Sequence, residues 1–279
     1  MTQSNDVSLE HALEVAEDAA RAGGRVLAKR RTLTREIKVK GWRDIVTDAD
    51  FAANKTICGI LNRAFPTHSI LSEEDPHPDL SLHKSEFLWI VDPLDGTTNY
   101  SRGFPVFAVS VGLAQKGRGL VGVVYDPLLD ECFYATRGGG AFLNGAPIQA
   151  SLIAKLEQGL LGFELAREQE LRERGLNWFA QLASRTMTAR ICGSAALSIC
   201  YVGAGRLDAY LHLLLSPWDI AAAILIAREA GARVTHLDGR SATIRGGAYL
   251  AGNRKIFPSL LRAVRELEAG AAHTPHDHQ

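Results

Sequence analysis

The run Phe87-Leu88-Trp89-Ile90-Val91 has no polar member and is cut by Asp92-Pro93. A continuous apolar stretch of that length, with a polar loop before it and Asp-Pro after it, reads as a strand buried on both faces. Pro93 has no N–H and a fixed φ, so the chain is expected to leave the sheet there. Asp95 then falls one turn further on. Both carboxylates are expected to point into one crevice at the C-terminal end of the strand, where open sheets place their ligands.

The rest of the chain supplies the material for a layered fold around that strand. It has 279 residues, 46% hydrophobic and 22% charged, an ordinary globular composition with ample length for a core. Ser8 to Arg31 places Leu9, Leu13, Ala16, Ala20, Gly23 and Leu27 at helical spacing, with Ser8 as N-cap. A second helix is expected around Asp50 to Arg63, a short strand near Ile70 and Leu71, and a polar loop from Asp75 to His83. Val106 to Thr136 alternates strands and turns as an antiparallel meander, and Asn144-Gly145 marks a further tight turn. Beyond it, short strands near Leu160, Ala209 and Val234 alternate with helices near 168–184, 195–204, 220–230 and 257–268. That alternation indicates an α/β layering.

Charge and cysteine usage exclude several functions. Lys plus Arg number 31 and Asp plus Glu number 31, so no global basic field exists to hold nucleic acid. Cys58, Cys132, Cys192 and Cys200 form no C-x-x-C pair, and they are expected to be reduced, mostly buried thiols. The N-terminus alternates acidic and apolar residues without a signal-peptide core, and no run reaches the ~18 apolar residues of a membrane helix. A soluble cytoplasmic protein with no membrane contact is expected.

The acidic residues carry the chemistry. Two close, unpaired carboxylates repel, and unless one takes a proton a cation must neutralise them. Hard oxygen donors favour Mg²⁺ over zinc. Gly96-Thr97-Thr98 follows at once, and its backbone N–H groups suit an anion. A metal pair beside an anion cradle describes phosphoryl transfer. An Asp-Pro turn before a helix start has the same appearance. Three further acidic clusters lie at the ends of apolar elements: Asp48 and Asp50, Glu73 and Glu74, and Asp219 behind Trp218. Each alone also suits a helix N-terminus.

Together, "WIVDPLDGTTNY", the upstream "SEED" and "VTDAD", and the downstream "SPWDIAA" resemble the inositol monophosphatase family, over about Val7 to Glu268. "GSAALSICYVGAGRLDAY" and "AGNRKI" also look like that family's later segments. The resemblance implies an α/β (α+β) fold, a layered αβαβα sandwich, as one domain over 1–268. Its N-terminal α+β half would run over about 7–152 and its C-terminal α/β half over about 153–268, with a disordered tail from 269. It implies a Mg²⁺-dependent phosphomonoesterase with two or three ions per site, commonly a homodimer.

By the same resemblance, Glu73, Asp92 and the Leu94 carbonyl hold the first ion; Asp92, Asp95 and Asp219 hold the second; Glu73 shares a third. Thr97 orients the attacking water, with Asp50 bonded to its hydroxyl. Gly96 and Thr97 N–H groups hold the phosphate. Lys40 belongs to a basic loop near the metals, and Ser194 and Ala195 face the substrate. The family's inositol-hydrolysing members carry a glutamate seven residues before the second-metal aspartate, and here that position is His212. Histidine cannot accept from two hydroxyls as a carboxylate does. The substrate is expected to be a small phosphorylated polyol or sugar. Inositol phosphate, histidinol phosphate, fructose 1,6-bisphosphate and nucleotide 3′-phosphates all stay open. Some bacterial members also act as RNA-polymerase-associated factors through protein contacts, which is a reading of another class. A two-metal nuclease or pyrophosphatase fits the motif order poorly.

Overall fold

The computed structural model describes residues 7–31, 36–76 and 85–271. Helix α1 (Leu9–Arg30) starts at Ser8, whose hydroxyl accepts the His11 N–H at 3.3 Å. An exposed hairpin follows, β1 (Ile37–Gly41) against β2 (Asp44–Thr47), and runs directly into α2 (Asp48–Ala64). Then come β3 (Ser69–Ser72), β4 (Phe87–Asp95) and one turn of helix, α3 (Thr97–Ser101). The meander consists of β5 (Ala108–Gln115), β6 (Arg118–Asp126), β7 (Glu131–Thr136), β8 (Gly140–Leu143) and β9 (Ala146–Pro147). These strands form a seven-stranded sheet in order β3-β4-β5-β6-β7-β8-β9, in which only β3 and β4 are parallel.

The second half supplies β10 (Leu160–Phe163), α4 (Gln169–Ala183), β11 (Thr188–Arg190), α5 (Ala195–Gly203) and β12 (Ala209–Leu215). It ends with α6 (Pro217–Glu229), β13 (Arg233–Thr235), β14 (Gly247–Gly252) and α7 (Phe257–Ala271). Its five strands lie in the order β11-β10-β12-β14-β13. The layers stack as α1 and α2, the larger sheet, α5 and α6, the smaller sheet, then α4 and α7. This is the αβαβα sandwich the sequence indicates.

Every residue of β4 is buried, because helices cover both faces of its sheet. The covering helix α6 lies very close to the sheet. A Cβ on Gly122 of β6 would sit 2.6 Å from the Ala222 carbonyl oxygen, and one on Gly112 of β5 would sit 3.1 Å from the Ala222 nitrogen. Glycine in the strands and alanine in the helix therefore let the α6 backbone rest on the sheet. That close approach brings the first turn of α6 beside the end of β4.

Several elements differ from expectation. Strand β4 does not stop at Pro93 but runs to Asp95, with an irregular register between Asp92 and Asp95. Proline is tolerated there because the ladder is already interrupted. Helix α6 begins at Pro217 rather than Ile220, since proline at the first position lacks only an N–H that would have no intrahelical partner. Helix α7 continues to Ala271, so 269–271 is not tail; residues 272–279, with His273, His276 and His278, lie outside the described residues. Most of the expected 75–83 loop lies outside them as well. The β1–β2 hairpin, β11 and β14 were not legible. Strand β1 is exposed throughout, so it has no alternating burial pattern, and β11 has only 3 residues. Cys132 and Cys200 are buried, whereas Cys58 and Cys192 are partly exposed, and all four are free.

The α6 contact makes a sharp expectation. Gly122→Ala should lower the free energy of unfolding by about 1–3 kcal/mol, since the clash is with helix backbone. Gly119→Ala, whose added Cβ would meet nothing nearer than 3.8 Å, should change it far less. Urea denaturation of both variants checks this, and equal effects would show that the close approach does not set the packing.

Candidate metal and phosphate site

The two sheets and their helices meet at a crevice lined by acids. Asp92 and Asp95 come from the end of β4 and are 1% and 9% exposed. Asp219 comes from the first turn of α6. One oxygen from each of the three lies within 4.8 Å of the others. Glu73 follows β3, tied to β4 by its N–H to the Val91 carbonyl at 3.1 Å. It stands beside the trio rather than within it. Asp50 lies in the first turn of α2, 2% exposed.

Local hydrogen bonds hold these side chains in place. Asp95 accepts from the Ser194 hydroxyl at 2.5 Å, the Ala196 N–H at 2.8 Å and the Ala195 N–H at 3.3 Å. It thus sits on the N-terminus of α5, whose partial positive charge suits an anion. Asp219 accepts the Ser216 N–H at 2.6 Å. Asp50 closes a capping box with Thr47, from N–H at 2.8 Å and hydroxyl at 2.6 Å. Asp92 accepts a single hydrogen bond among the described residues, from the Leu94 N–H at 2.9 Å. The Thr97 hydroxyl lies 3.0 Å from the Leu94 carbonyl and 3.3 Å from Asp50, and its one proton can serve one of them at a time. Gly96 has φ +92°, and a Cβ there would sit 3.0 Å from the carbonyl oxygens of Gly193 and Val106. Only glycine fits that turn.

The electrostatics mark the cluster as short of positive charge. Burial, followed by the neighbouring Asp219 charge, pushes the Glu73 carboxyl up to about 8. Burial and then Asp95 push Asp219 up to about 7. Burial, Glu73 and Asp95 drive Asp92 well above the carboxylate range. Asp95 is raised by burial in spite of the α5 donors. Among the described residues, the nearest cation to any of the four is Lys40, 4.0 Å from Glu73 and itself paired with Glu74 at 2.7 Å. Buried carboxylates in this state call for a cation or for protons. An all-oxygen donor set suits Mg²⁺.

The remaining expected residues fall in different places. Lys40 projects from the β1–β2 hairpin towards Glu73 and Glu74. Ser194 is 1% exposed and, with the Ala195 N–H, is committed to Asp95. His212 is 8% exposed on β12, two residues from Tyr210. It therefore shares the face that Tyr210 packs between the sheets.

Two functional residues were missed. Glu164, just past β10, accepts the Cys192 N–H at 3.0 Å and the Gly193 N–H at 2.8 Å, which fixes the turn ahead of Ser194. Burial pushes its carboxyl up to about 7. Arg167 forms an ion pair with Asp44 at 2.8 Å, and its charge acts on Asp44, Glu73, Asp219 and Asp92. Glu164 follows directly on β10, a strand that pairs in parallel on both sides, and Arg167 lies three residues further on.

The sequence profile of the inositol monophosphatase family matches residues 8–269. The Nus factor SuhB of Pseudomonas aeruginosa is 39% identical, over 91% of this chain and 95% of that protein. Inositol monophosphatase 3 of Solanum lycopersicum is 36% identical, over 93% and 98%. Among solved structures, the extragenic suppressor protein suhB of Bartonella henselae superposes with a TM-score of 0.87, at 35% identity over 92% of this chain and 99% of that one. The IMPase of Thermotoga maritima gives 0.86, at 33% identity over 93% and 99%.

The raised carboxyls give stability a definite pH dependence. Glu73, Asp219, Asp50 and Glu164 have folded values of about 8, 7, 6 and 7, all above their ordinary values. The folded state thus holds more protons than the unfolded one between roughly pH 4 and 8. That stabilisation is complete below the unfolded values and is lost as pH rises through the folded ones. In EDTA the Tm should fall from pH 5 to pH 8, and millimolar Mg²⁺ should raise it more at pH 8, where fewer protons must be displaced. Thermal scans at both pH values check this. An equal or larger Mg²⁺ effect at pH 5 would contradict it.

Proposed function

The chain belongs to the inositol monophosphatase family, and on that footing we propose that it is a Mg²⁺-dependent phosphomonoesterase acting on a small polyol or sugar phosphate such as inositol 1-phosphate. The observation that carries this reading is the trio of Asp92, Asp95 and Asp219, converging from two elements in a site nearly closed to water. Asp92 with Glu73 and the Leu94 carbonyl would hold one ion. Asp92, Asp95 and Asp219 would hold another, and Glu73 would share a third. Mg²⁺, when bound, supplies the positive charge that a phosphoryl group needs as it transfers and makes water more acidic.

The chain's own groups position the reactants. The N–H groups of Gly96 and Thr97 would hold the phosphate, in a turn that admits no side chain. The Thr97 hydroxyl, backed by Asp50, would orient the attacking water. With its own proton donated to the Asp50 carboxylate, Thr97 has its oxygen lone pairs free to accept from that water. Asp50, raised to about 6 by burial, stays largely ionised at pH 7 and keeps that arrangement polarised. Burial raises the Cys192 thiol, so a thiolate nucleophile has no support. A cytoplasmic homodimer completes the reading; no helix among the described residues is long and apolar enough to cross a membrane.

A second reading follows from relatives named Nus factor SuhB, in Pseudomonas aeruginosa and Escherichia coli. It makes the scaffold a protein-binding factor in transcription. Lysate from the source organism, passed over immobilised Asp92→Asn protein, should retain transcription proteins under this reading. Failure to retain any would remove it.

The phosphatase reading is tested by phosphate release from inositol 1-phosphate, histidinol phosphate, fructose 1,6-bisphosphate and adenosine 3′,5′-bisphosphate. Release should require Mg²⁺, vanish in excess EDTA, and drop about 10²–10³-fold in Asp92→Asn, the scale seen when one group that stabilises transition-state charge is lost. Release that persists in EDTA or in Asp92→Asn would overturn the assignment.

A further inference from the structure

Arg167 lies just past β10 and His212 lies on β12, which pairs with β10 in parallel, so one end of the smaller sheet carries two hydrogen-bond donors where a neutral polyol would also call for acceptors. From this arrangement we propose that the leaving group carries a second anionic group, a phosphate or a carboxylate, gripped by the Arg167 guanidinium with the His212 imidazole N–H beside it. The proposal rests on the phosphomonoesterase reading and refines its substrate class.

Arg167 has the geometry of an unfilled anion grip. Its side chain is 55% exposed. Its charge acts on Glu73, Asp92, Asp219 and Asp95, and on His212. The contact with Asp44, at 2.8 Å, is an ion pair without hydrogen-bond geometry, and Asp44 Oδ1 has no hydrogen-bond partner. No guanidinium hydrogen bond to any described residue is formed. One nitrogen of the fork lies against Asp44, and its other N–H groups are the ones open to a ligand; the edge they form matches a carboxylate or phosphate. The backbone beneath it is fixed, because Arg43 of the β1–β2 turn donates to the Arg167 carbonyl at 3.4 Å.

His212 adds a donor of fixed sense. Its Nδ1 accepts the Leu214 N–H at 2.9 Å, so the ring proton sits on Nε2. Nε2 has no hydrogen-bond partner among the described residues. Burial and the nearby Arg167 keep the ring neutral. Its free edge therefore donates and does not accept. A polyol offers both donors and acceptors, and gains little from a wall that accepts nothing. A charged oxygen group gains a bidentate guanidinium and an N–H. The competing account is that Arg167 only offsets the charge of the acids, in which case it would affect every substrate alike.

Selectivity separates the two accounts. kcat/KM would be measured for inositol 1-phosphate, fructose 1,6-bisphosphate and 3-phosphoglycerate on wild type, Arg167→Ala, Arg167→Lys and His212→Glu. Wild type should favour one of the two doubly anionic esters over inositol 1-phosphate. In Arg167→Ala that preference should shrink about 10- to 100-fold, the weight of a charge-assisted hydrogen bond, with the loss mainly in KM. Lysine should restore part of it, and His212→Glu should shift the preference towards inositol 1-phosphate. Whichever doubly anionic ester loses more identifies the second group as phosphate or carboxylate. An equal loss for all three esters, or no wild-type preference, overturns the proposal.

A binding arm keeps the test independent of turnover. Calorimetric titration with fructose 6-phosphate and with inositol, the two leaving alcohols, should give tighter binding of the phosphorylated one in wild type and loss of that advantage in Arg167→Ala. If no ester is hydrolysed, the phosphatase reading fails, and this titration alone decides the anion grip. Equal affinities for the two alcohols would then overturn it.

Discussion

Four carboxylates, Glu73, Asp92, Asp95 and Asp219, converge in a largely buried site whose nearest cation among the described residues, Lys40, is 4.0 Å from one of them. Like charges held that close are unfavourable, and the surrounding structure is organised to tolerate them. Two of the four aspartates and glutamates sit on helix starts, where backbone N–H groups return some of the lost solvation: Asp95 on α5 and Asp219 within α6. Asp92 receives one amide off any helix start, and its carboxyl is raised well above the ordinary carboxylate value. On the proposed reading such a site would exchange protons for a divalent ion, with its stability tied to which of the two it holds.

Holding like charges together needs a scaffold that does not spread. The larger sheet supplies Asp92 and Asp95, while α6 supplies Asp219, and the gap between them is set by the Gly112 and Gly122 contacts with Ala222. A side chain at either glycine would separate the helix from the sheet and pull the third carboxylate from the other two. A supporting line runs from Glu164 through the Cys192–Gly193 turn to Ser194, and from Ser194 to Asp95. Residues that never face the substrate thus fix the spacing of those that would.

The chain disclosed its layers and its acids for the same physical reason. A strand buried on both faces must be apolar along its whole length, so polar residues at its end are conspicuous, and Asp92 and Asp95 were legible at once. The αβαβα order followed from alternating patterns and from the family resemblance. The β1–β2 hairpin escaped because β1 is exposed along its whole length and β2 buries only its last two residues, so neither strand carries a period of two. Ser194 is expected to face the substrate, and its hydroxyl also supports Asp95, a contact hidden from the sequence because a short hydroxyl at a helix start looks the same whether it caps, ligates or supports. Arg167 was overlooked because an arginine beside a helix start is common on surfaces, and only the fold shows which acids it overlooks.

These observations divide the site into two halves under different constraints. The half that handles phosphate must bring several oxygens and backbone N–H groups to fixed positions, and each of its members depends on others: Gly96 on the closeness of Gly193, Asp95 on α5, Asp219 on α6. Single changes there disturb many contacts together. The half that faces the leaving group consists of side chains at the ends of β10 and on β12, Arg167 and His212, whose neighbours tolerate change because few of their bonds are shared. On the proposal above, chemistry would be held by the scaffold, and substrate choice by two side chains, the exposed Arg167 and the buried His212. Those two present a guanidinium and an imidazole N–H, so the leaving-group side would select by charge where the metal side would select by coordination.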